Sequence, residues 1–388
     1  MRRRKKSIGK VLGLGLIVAA PLVSAQAQSQ NFEPAFSKDR PLLETDLREY
    51  GYKPGLSGRS DFLSLDFTDS KHLIFGWTTL DDPDVDRKKG LLTLVPSHLH
   101  AVLLDAHTGQ KQTVREWPTP TFYAGVDAVQ DGHLVICTGN EIRLLSRDFE
   151  VIREDELPSS SQCFGHEFSP SKRTLTIRSG PVLDYQNSLL DVKTFSPLSS
   201  WTKEVRTVHF TDSLLVGTCS PDFAVCIRTF DQPWGPFHFD GMDQQMKDYR
   251  NKFAFFINDS TLGIIALREM AVVTVDGKLL FRVNLPNKWS FGKPVMSRGG
   301  ERFALIENKL RGLRNEGLDM YPFPSNDHAV VYSLPDRRAI YTLKVNGTSP
   351  WAPWVMHKNQ MALSPDGALL AIVDDGILKV YQLPASKS

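Results

Sequence analysis

The most regular feature of the chain is a phrase made of an apolar residue, a short polar run and a second apolar segment. Ser, Thr, Asn, Asp, Pro and Gly in the polar run favour chain reversal. The apolar segment is too short for a helix and suits a buried strand. The seven copies are FTDSKHLIFGW from Phe67, VQDGHLVICT from Val129, FSPSKRTLTI from Phe168, FTDSLLVGTC from Phe210, INDSTLGIIA from Ile257, MSRGGERFALI from Met296 and LSPDGALLAI from Leu363.

A third strand, a turn and a fourth strand follow the phrase, as in AVLLDAHTGQKQTV and AVVTVDGKLLFRV. Each unit therefore has four antiparallel strands, named A to D from the inside outwards. Four of the six intervals between copies are about 40 residues, which is the length of one four-stranded propeller blade. The pattern predicts an all-β fold, a seven-bladed β-propeller of four-stranded antiparallel blades. An assortment of hairpins in a sandwich is the alternative, but a sandwich does not require the repeat.

The last unit, which ends in GILKVYQLPASKS, lacks its outer strand. An open ring would leave edges exposed, so a segment upstream of Phe67 is expected to close the last blade. Residues 41–50, PLLETDLREY, are the candidate. The predicted organisation is a signal peptide at 1–27, an N-terminal segment with the closing strand at 28–60, and the propeller at 61–388.

The phrases FSPSKRTLTI and LSPDGALLAIVDDGILKVYQLP resemble the turn between strands A and B of WD40-like and other bacterial repeat propellers. In the spacing of its repeats, the resemblance covers nearly the whole chain after the signal peptide. The Trp-Asp dipeptide of true WD40 blades is missing, and so is the docking motif of quinoprotein propellers. The resemblance implies an architecture and a binding scaffold, and it names no specific function.

The N-terminus has the three parts of a signal peptide: basic MRRRKK, apolar VLGLGLIVAAPLV and small residues in VSAQAQ. Cleavage is expected after Ala25 or Ala27. An uncleaved anchor is the alternative, but the apolar run is short for a bilayer span, and no transmembrane segment is expected after cleavage. The protein is therefore expected to be exported in a bacterium, to the periplasm or the medium.

Charge and composition narrow the expected partners. The whole chain has 46 Lys and Arg against 44 Asp and Glu, but the signal carries six bases and no acid, so the mature chain is mildly acidic. Such a chain without basic runs is a poor nucleic-acid binder. We expect a monomer with no cofactor, and an unknown protein or polysaccharide as its partner.

All four cysteines follow the signal, and an oxidising compartment permits disulfides. Four cysteines allow three pairings. Cys219 and Cys226 flank SPDFAV and are the candidate pair across a hairpin; free buried thiols are the alternative. The cysteine spacing fits no zinc pattern.

The two long intervals arise from insertions between strands B and C of units one and six. Connections B–C and D–A leave the same face of a propeller, so both insertions and the connection into blade seven are expected on one rim. The candidate partner-binding residues on this rim are Trp351, Trp354, Tyr321, Arg314 and Asp84. The alternative for the two tryptophans is that they pack between blades six and seven.

A propeller hydrolase of the lactonase type, with its site at the mouth of the central channel, is the alternative function. Its polar candidates are His166, Glu167, His209 and Asp127, while no catalytic residue or metal ligand is assigned. A third hypothesis is a purely structural, envelope-associated repeat protein without a discrete ligand. In DDPDVDRKKG, Arg87 stands where a calcium loop requires Gly, and no Glu stands at the twelfth position. His98 and His100 are expected to share a strand face, and no further metal ligand is near them in sequence.

Overall fold

A computed structural model describes residues 29–31, 36–52, 63–80, 97–119, 124–138, 140–157, 161–162, 167–179, 186–202, 205–219, 224–240, 253–266, 268–286, 289–309, 327–345, 360–374 and 376–385. These residues form seven antiparallel blades arranged in a ring. Two short 3₁₀ turns, Leu47–Tyr50 and Gln130–Gly132, are the helical elements that the described residues contain. The predicted all-β propeller is confirmed.

The strands of each blade follow the order A to D from the axis outwards. Those of the first four blades are Leu63–Phe67, His72–Leu80, Ser97–Asp105 and Lys111–Thr119; Gly125–Ala128, Leu134–Thr138, Glu141–Leu145 and Val151–Glu156; Ser161–Gln162, Thr174–Ser179, Gln186–Asp191 and Pro197–Thr202; Val205–Phe210, Leu214–Cys219, Ala224–Thr229 and Gly235–Pro236.

The other three blades have the same strand order. Their strands are Phe253–Asn258, Thr261–Ala266, Glu269–Thr274 and Leu279–Asn284; Trp289–Met296, Arg302–Lys309, Asp327–Ser333 and Arg338–Val345; Met361–Leu363, Leu369–Asp374, Ile377–Gln382 and, from the N-terminal segment, Leu43–Asp46. Blade five has a fifth strand, Ser29–Asn31, outside its strand D.

The turn chemistry of the repeated phrase is visible in blades three, six and seven. The Ser364 hydroxyl accepts a hydrogen bond from the backbone N–H of the residue five positions later, at 2.8 Å. Ser169 and Ser297 make the same contact at 3.2 Å. Three residues after Ser297 and Ser364 the chain reaches positive φ at Gly300 and Gly367. The phrase is thus a hydroxyl-capped turn that feeds strand A into strand B.

Blades are held together by seven clusters of buried apolar side chains, one between each pair of neighbours around the ring. A strand between two blades is buried on both faces. In strand B of blade one, Leu73 and Phe75 pack towards blade seven and Ile74 packs towards blade two. This double burial explains why the repeats read as continuous apolar runs and not as an alternating pattern.

The N-terminal segment closes the ring, as predicted. Leu43–Asp46 pairs antiparallel with strand C of blade seven, with Leu43 opposite Val380 and Asp46 opposite Ile377. Leu43 and Leu47 join the cluster between blades one and seven. The N-terminal segment therefore supplies the fourth strand of blade seven.

Arg302 of blade six joins the closing blade through a buried guanidinium. Its Nη1 donates to the Gly367 carbonyl at 2.7 Å and its Nη2 to the Pro384 carbonyl at 2.6 Å. Only 5% of the residue is exposed. Removing a buried donor leaves two carbonyls without that partner, which is expensive in a low-dielectric interior.

We expect Arg302→Ala to lower the free energy of unfolding by about 2 to 3 kcal/mol, because two charge-assisted hydrogen bonds are lost. Urea unfolding measures this, with Arg338→Ala, an exposed arginine of the same blade, as the matched control. Equal midpoints for the two variants would contradict this role of Arg302.

Candidate functional site

Strand A side chains and turns enclose a cavity of about 80 Å³ on the propeller axis. Its wall is divided. Blades one to four contribute the polar residues Asp66, Asp127, Glu167, Lys172 and His209. Blades six and seven contribute an apolar wall made of Pro294, Val295, Met296, Met361, Ala362 and Leu363.

The polar groups of this cavity are engaged with one another. Lys172 Nζ lies 2.8 Å from Asp66 Oδ2, and both side chains are largely buried. His209 Nδ1 lies 3.7 Å from Glu167 Oε2, and its ring packs edge-on against Phe253. Within the described residues no group of three His, Cys, Asp or Glu is arranged to hold a metal ion. The cavity therefore holds two acid–base pairs from three blades.

Lys172 occupies its position at a conformational cost. Its φ is 63°, at the position of the phrase where blades six and seven have Gly300 and Gly367. A non-glycine residue in the left-handed region costs of order 1 kcal/mol or more. The side chain that results reaches past blade two to Asp66 of blade one. The strained turn thus supports a contact between blades that are not neighbours.

Arg298 makes the corresponding contact from the other side. Its Nη2 donates to the Phe67 carbonyl at 2.6 Å and its Nη1 to the Thr68 carbonyl at 3.1 Å, so blade six reaches blade one past blade seven. Burial lowers the pKa of Arg298, and nearby Asp66 and Asp69 oppose that shift. Asp66, Lys172 and Arg298 are called the axial clasp below; they link three blades at the end of the axis that carries the A–B turns.

Sequence reasoning identified part of this cavity. Asp127, Glu167 and His209, named for the hydrolase alternative, do meet in it, whereas His166 lies outside the described residues. Asp66 and Lys172 were missed. A signal for Asp66 was available, because Asp66, Glu167 and His209 all stand directly before the first residue of the repeated phrase.

The opposite end of the propeller carries the long connections. In blade one, strand B ends at Leu80 and strand C begins at Ser97; in blade six the corresponding residues are Lys309 and Asp327. Strand D of blade six ends at Val345, and strand A of blade seven begins at Met361. Since B–C and D–A connections leave one end of an antiparallel blade, these strand ends define one surface, called the insertion face.

A buried carboxyl lies at the base of the blade-six insertion. Glu307 is fully buried two residues before strand B ends, opposite His328 in the ladder. Glu307 Oε1 accepts a 2.7 Å hydrogen bond from the Tyr332 hydroxyl, and Oε2 has no hydrogen bond from the described residues. Phe36 of the N-terminal segment packs edge-on against His328. Burial raises the pKa of Glu307 to about 7, and the Tyr332 bond opposes the shift.

The partner-binding candidates from the sequence, Trp351, Trp354, Tyr321, Arg314 and Asp84, lie outside the described residues. Their assignment stays a prediction. The strand ends that lead into their segments are described, and these ends belong to the insertion face.

The remaining sequence candidates lie elsewhere. Cys219 and Cys226 form a disulfide with a Cα–Cα distance of 6.0 Å, and Cys137 is also disulfide-bonded. The rings of His98 and His100 share one strand face, as predicted, with centroids 6.4 Å apart. Both contact the Glu116 carboxylate, at 3.7 Å and 3.4 Å.

Comparison with known proteins gives the fold. No protein-family model matches the chain, and no curated protein matches it. An Hsv2 variant of Kluyveromyces lactis, in which loop 6CD is replaced by a Gly-Ser linker, is similar with a TM-score of 0.50 and 12% identity, over 84% of this chain and 98% of that chain.

Two further solved structures are more distant. The C-terminal WD40 domain of Sif2 has a TM-score of 0.46 and 9% identity, over 89% of this chain and 98% of that chain. BamB from Moraxella catarrhalis has a TM-score of 0.39 and 12% identity, over 83% and 85%. The chain has a WD40-like propeller fold, and these identities show nothing finer than the fold.

The pKa of Glu307 makes stability depend on pH. In the unfolded chain the carboxyl ionises near its ordinary value of 4.5, and in the folded chain it ionises at about 7. The folded state therefore holds the proton more tightly, and its stability falls as pH rises through this window. The loss approaches about 3 kcal/mol above pH 7.

We expect Glu307→Gln to remove this fall, since an amide has no proton to lose in this range. Urea unfolding at pH 5, 6, 7 and 8 measures it, with Glu301→Gln, an exposed carboxyl of the same blade, as the control. An unchanged pH slope in Glu307→Gln would show that Glu307 does not titrate in this window.

Proposed function

We propose that the protein is an exported binding scaffold that engages a protein or polymer partner through the insertion face. The observation that carries the proposal is the position of the two long B–C connections. They interrupt blades one and six, the two neighbours of blade seven, at the same end of the ring.

The proposal places Trp351 and Trp354 in the connection into blade seven, between the two insertions. Aromatic and arginine side chains are the usual anchors of interfaces, so these tryptophans, Tyr321 and Arg314 are the proposed contact residues, with Asp84 on the other flank. Long connections on a rigid ring are a common location for binding residues. The packed blades supply that rigid support.

The axial cavity supports a hydrolase less well. The pairs Asp66–Lys172 and Glu167–His209 already engage four of its charged or titratable side chains. A hydrolytic site also needs a nucleophile or an activated water beside its base. The scaffold function is therefore preferred over the channel enzyme.

Export is part of the proposal. The disulfide between Cys219 and Cys226 and the bonded state of Cys137 support an oxidising compartment. Within the described chain, no helix has the length and apolar character needed to cross a bilayer.

N-terminal sequencing of the protein purified from the periplasm is expected to begin at Gln26 or Gln28, because the signal peptide is cleaved after Ala25 or Ala27. A sequence that begins at Met1 or Arg2 would contradict cleavage.

Site-specific photocrosslinking in cells tests the insertion face. A photoreactive amino acid replaces Asp84 in one variant and Arg314 in another, and both are expected to crosslink the same partner. The control position is Lys193, an exposed residue of a C–D turn at the opposite end of the ring.

The double substitution Trp351→Ala and Trp354→Ala is expected to reduce that crosslinked product at least tenfold, because the proposed anchors are gone. Trp234→Ala, in the C–D turn of blade four, is the matched control for loss of a tryptophan. Crosslinking from Lys193 alone, or full yield from the double variant, would reject the insertion face as the partner surface.

A further inference from the structure

The outer edge of blade five carries an added strand that the ring does not need. Blade five already has its four strands, and Ser29–Asn31 lies outside strand D as a fifth. It runs parallel to strand D, with Ser29 opposite Arg282, Gln30 opposite Val283 and Asn31 opposite Asn284. The pairing joins an extended segment from far away in the sequence to an outer blade edge.

Backbone hydrogen bonding explains why such an edge accepts a peptide. The outermost strand of a sheet presents N–H and C=O groups that have no partner within the sheet. An extended segment satisfies them whatever its side chains are, and proteins use this mode to capture peptides. The edge of blade five is therefore a site for strand addition, and its own chain uses it.

Strand D of blade five is well fixed for this role. Arg282 Nη1 donates to Glu269 Oε1 at 2.5 Å, which ties strand D to strand C. Phe281 and Val283 are buried against blade six. A preformed edge loses little conformational entropy when a strand is added, so more of the backbone interaction remains as binding.

The strand that occupies the edge is short and replaceable. It covers the three residues from Arg282 to Asn284, while strand D begins three residues earlier, at Leu279. Its sequence, Ser-Gln-Asn, has no β-branched or aromatic residue, the types favoured in strands. A longer segment with better strand residues is expected to compete with it.

Release of this strand does not require the ring to open. The next described part of the segment is attached to other blades: Ser37 N–H donates to the Thr342 carbonyl of blade six, and Leu42 N–H donates to the Val380 carbonyl of blade seven. The closing pairing of Leu43–Asp46 is a separate contact. The N-terminal segment thus has attachments to blades six and seven that do not involve the edge of blade five.

We propose that the edge Leu279–Asn284 is a strand-addition site for an extended segment of a protein partner, and that Ser29–Asn31 occupies it as a displaceable internal competitor. The partner adds parallel to strand D through its backbone and displaces residues 29–31. The site does not depend on the role proposed for the insertion face, and either surface can fail its test without the other.

Binding of a synthetic peptide tests the site. The probe is fluorescein-labelled AQSQNFEP, the sequence of residues 27–34, and fluorescence anisotropy follows its binding to the mature chain. Gln30→Pro removes a backbone N–H and disfavours the internal strand. The variant is expected to bind the peptide at least tenfold more tightly than the wild type, whose own strand competes at high effective concentration.

Two controls separate strand addition from other binding. Gln30→Ala keeps the backbone donor and is expected to behave as the wild type. The same peptide N-methylated at the positions of both Gln30 and Asn31 keeps its side chains, loses whichever of these two adjacent N–H groups faces strand D, and is expected to bind Gln30→Pro at least tenfold more weakly. Equal melting temperatures of the three proteins check that the ring is intact.

Hydrogen exchange locates the bound peptide. In Gln30→Pro the amides of residues 282–284 are expected to exchange faster than in the wild type, and the peptide is expected to restore their protection. Equal binding by wild type and Gln30→Pro, equal binding of the N-methylated peptide, or protection at another blade edge would each overturn the proposal.

Discussion

The fold depends on the packing of blade seven against blade one. Six of the seven contacts between blades join units that are consecutive in sequence, but this one joins the two ends of the chain. Leu43–Asp46 completes blade seven from the N-terminal side, and its Leu43 packs into the same cluster as Phe67 and Phe75. Without this contact, blades one and seven would each expose an apolar face that the other blade now buries.

Ring closure also brings Arg298 of blade six within reach of blade one. Lys172 and Arg298 approach blade one from opposite sides, each reaching past an intervening blade. The Arg298 contact spans the junction between blades seven and one, so it and the closing strand depend on the same condition. The ring thereby becomes a rigid support, which allows long connections at its other end to vary in sequence without disturbing the core.

The sequence was most informative where burial on both faces gave each strand a continuous apolar run. Phe67, Phe168 and Leu363 each start a phrase whose turn and second strand the structure confirms. The closing strand was predictable for a related reason, since the pattern of the last unit predicts three strands, and the fourth, Leu43–Asp46, lies within residues 41–50. The local sequence pattern was sufficient to predict these strands because, in a repeat fold, each copy of the phrase occupies an equivalent position in its blade.

Contacts between distant parts of the ring had no local signal. Nothing near Lys172 in the sequence indicates that its side chain contacts Asp66, because the distance between these two residues is set by the number of blades and the width of the central channel. Ser29–Asn31 has a polar sequence without strand preference, so its pairing with blade five was equally hidden. For the insertion face, composition identified the candidate tryptophans, and their contacts depend on residues outside those described.

Hydrogen exchange of residues 42–47 tests whether the N-terminal strand closes the ring. Leu42 N–H bonds to the Val380 carbonyl and Leu47 N–H to the Gly376 carbonyl, so a peptide covering residues 42–47 reports on closure. We expect this peptide to be protected as strongly as strand B of blade seven, and both to lose protection at the same urea concentration. Rapid exchange of residues 42–47 while strand B of blade seven stays protected would show that the N-terminal strand does not close the ring.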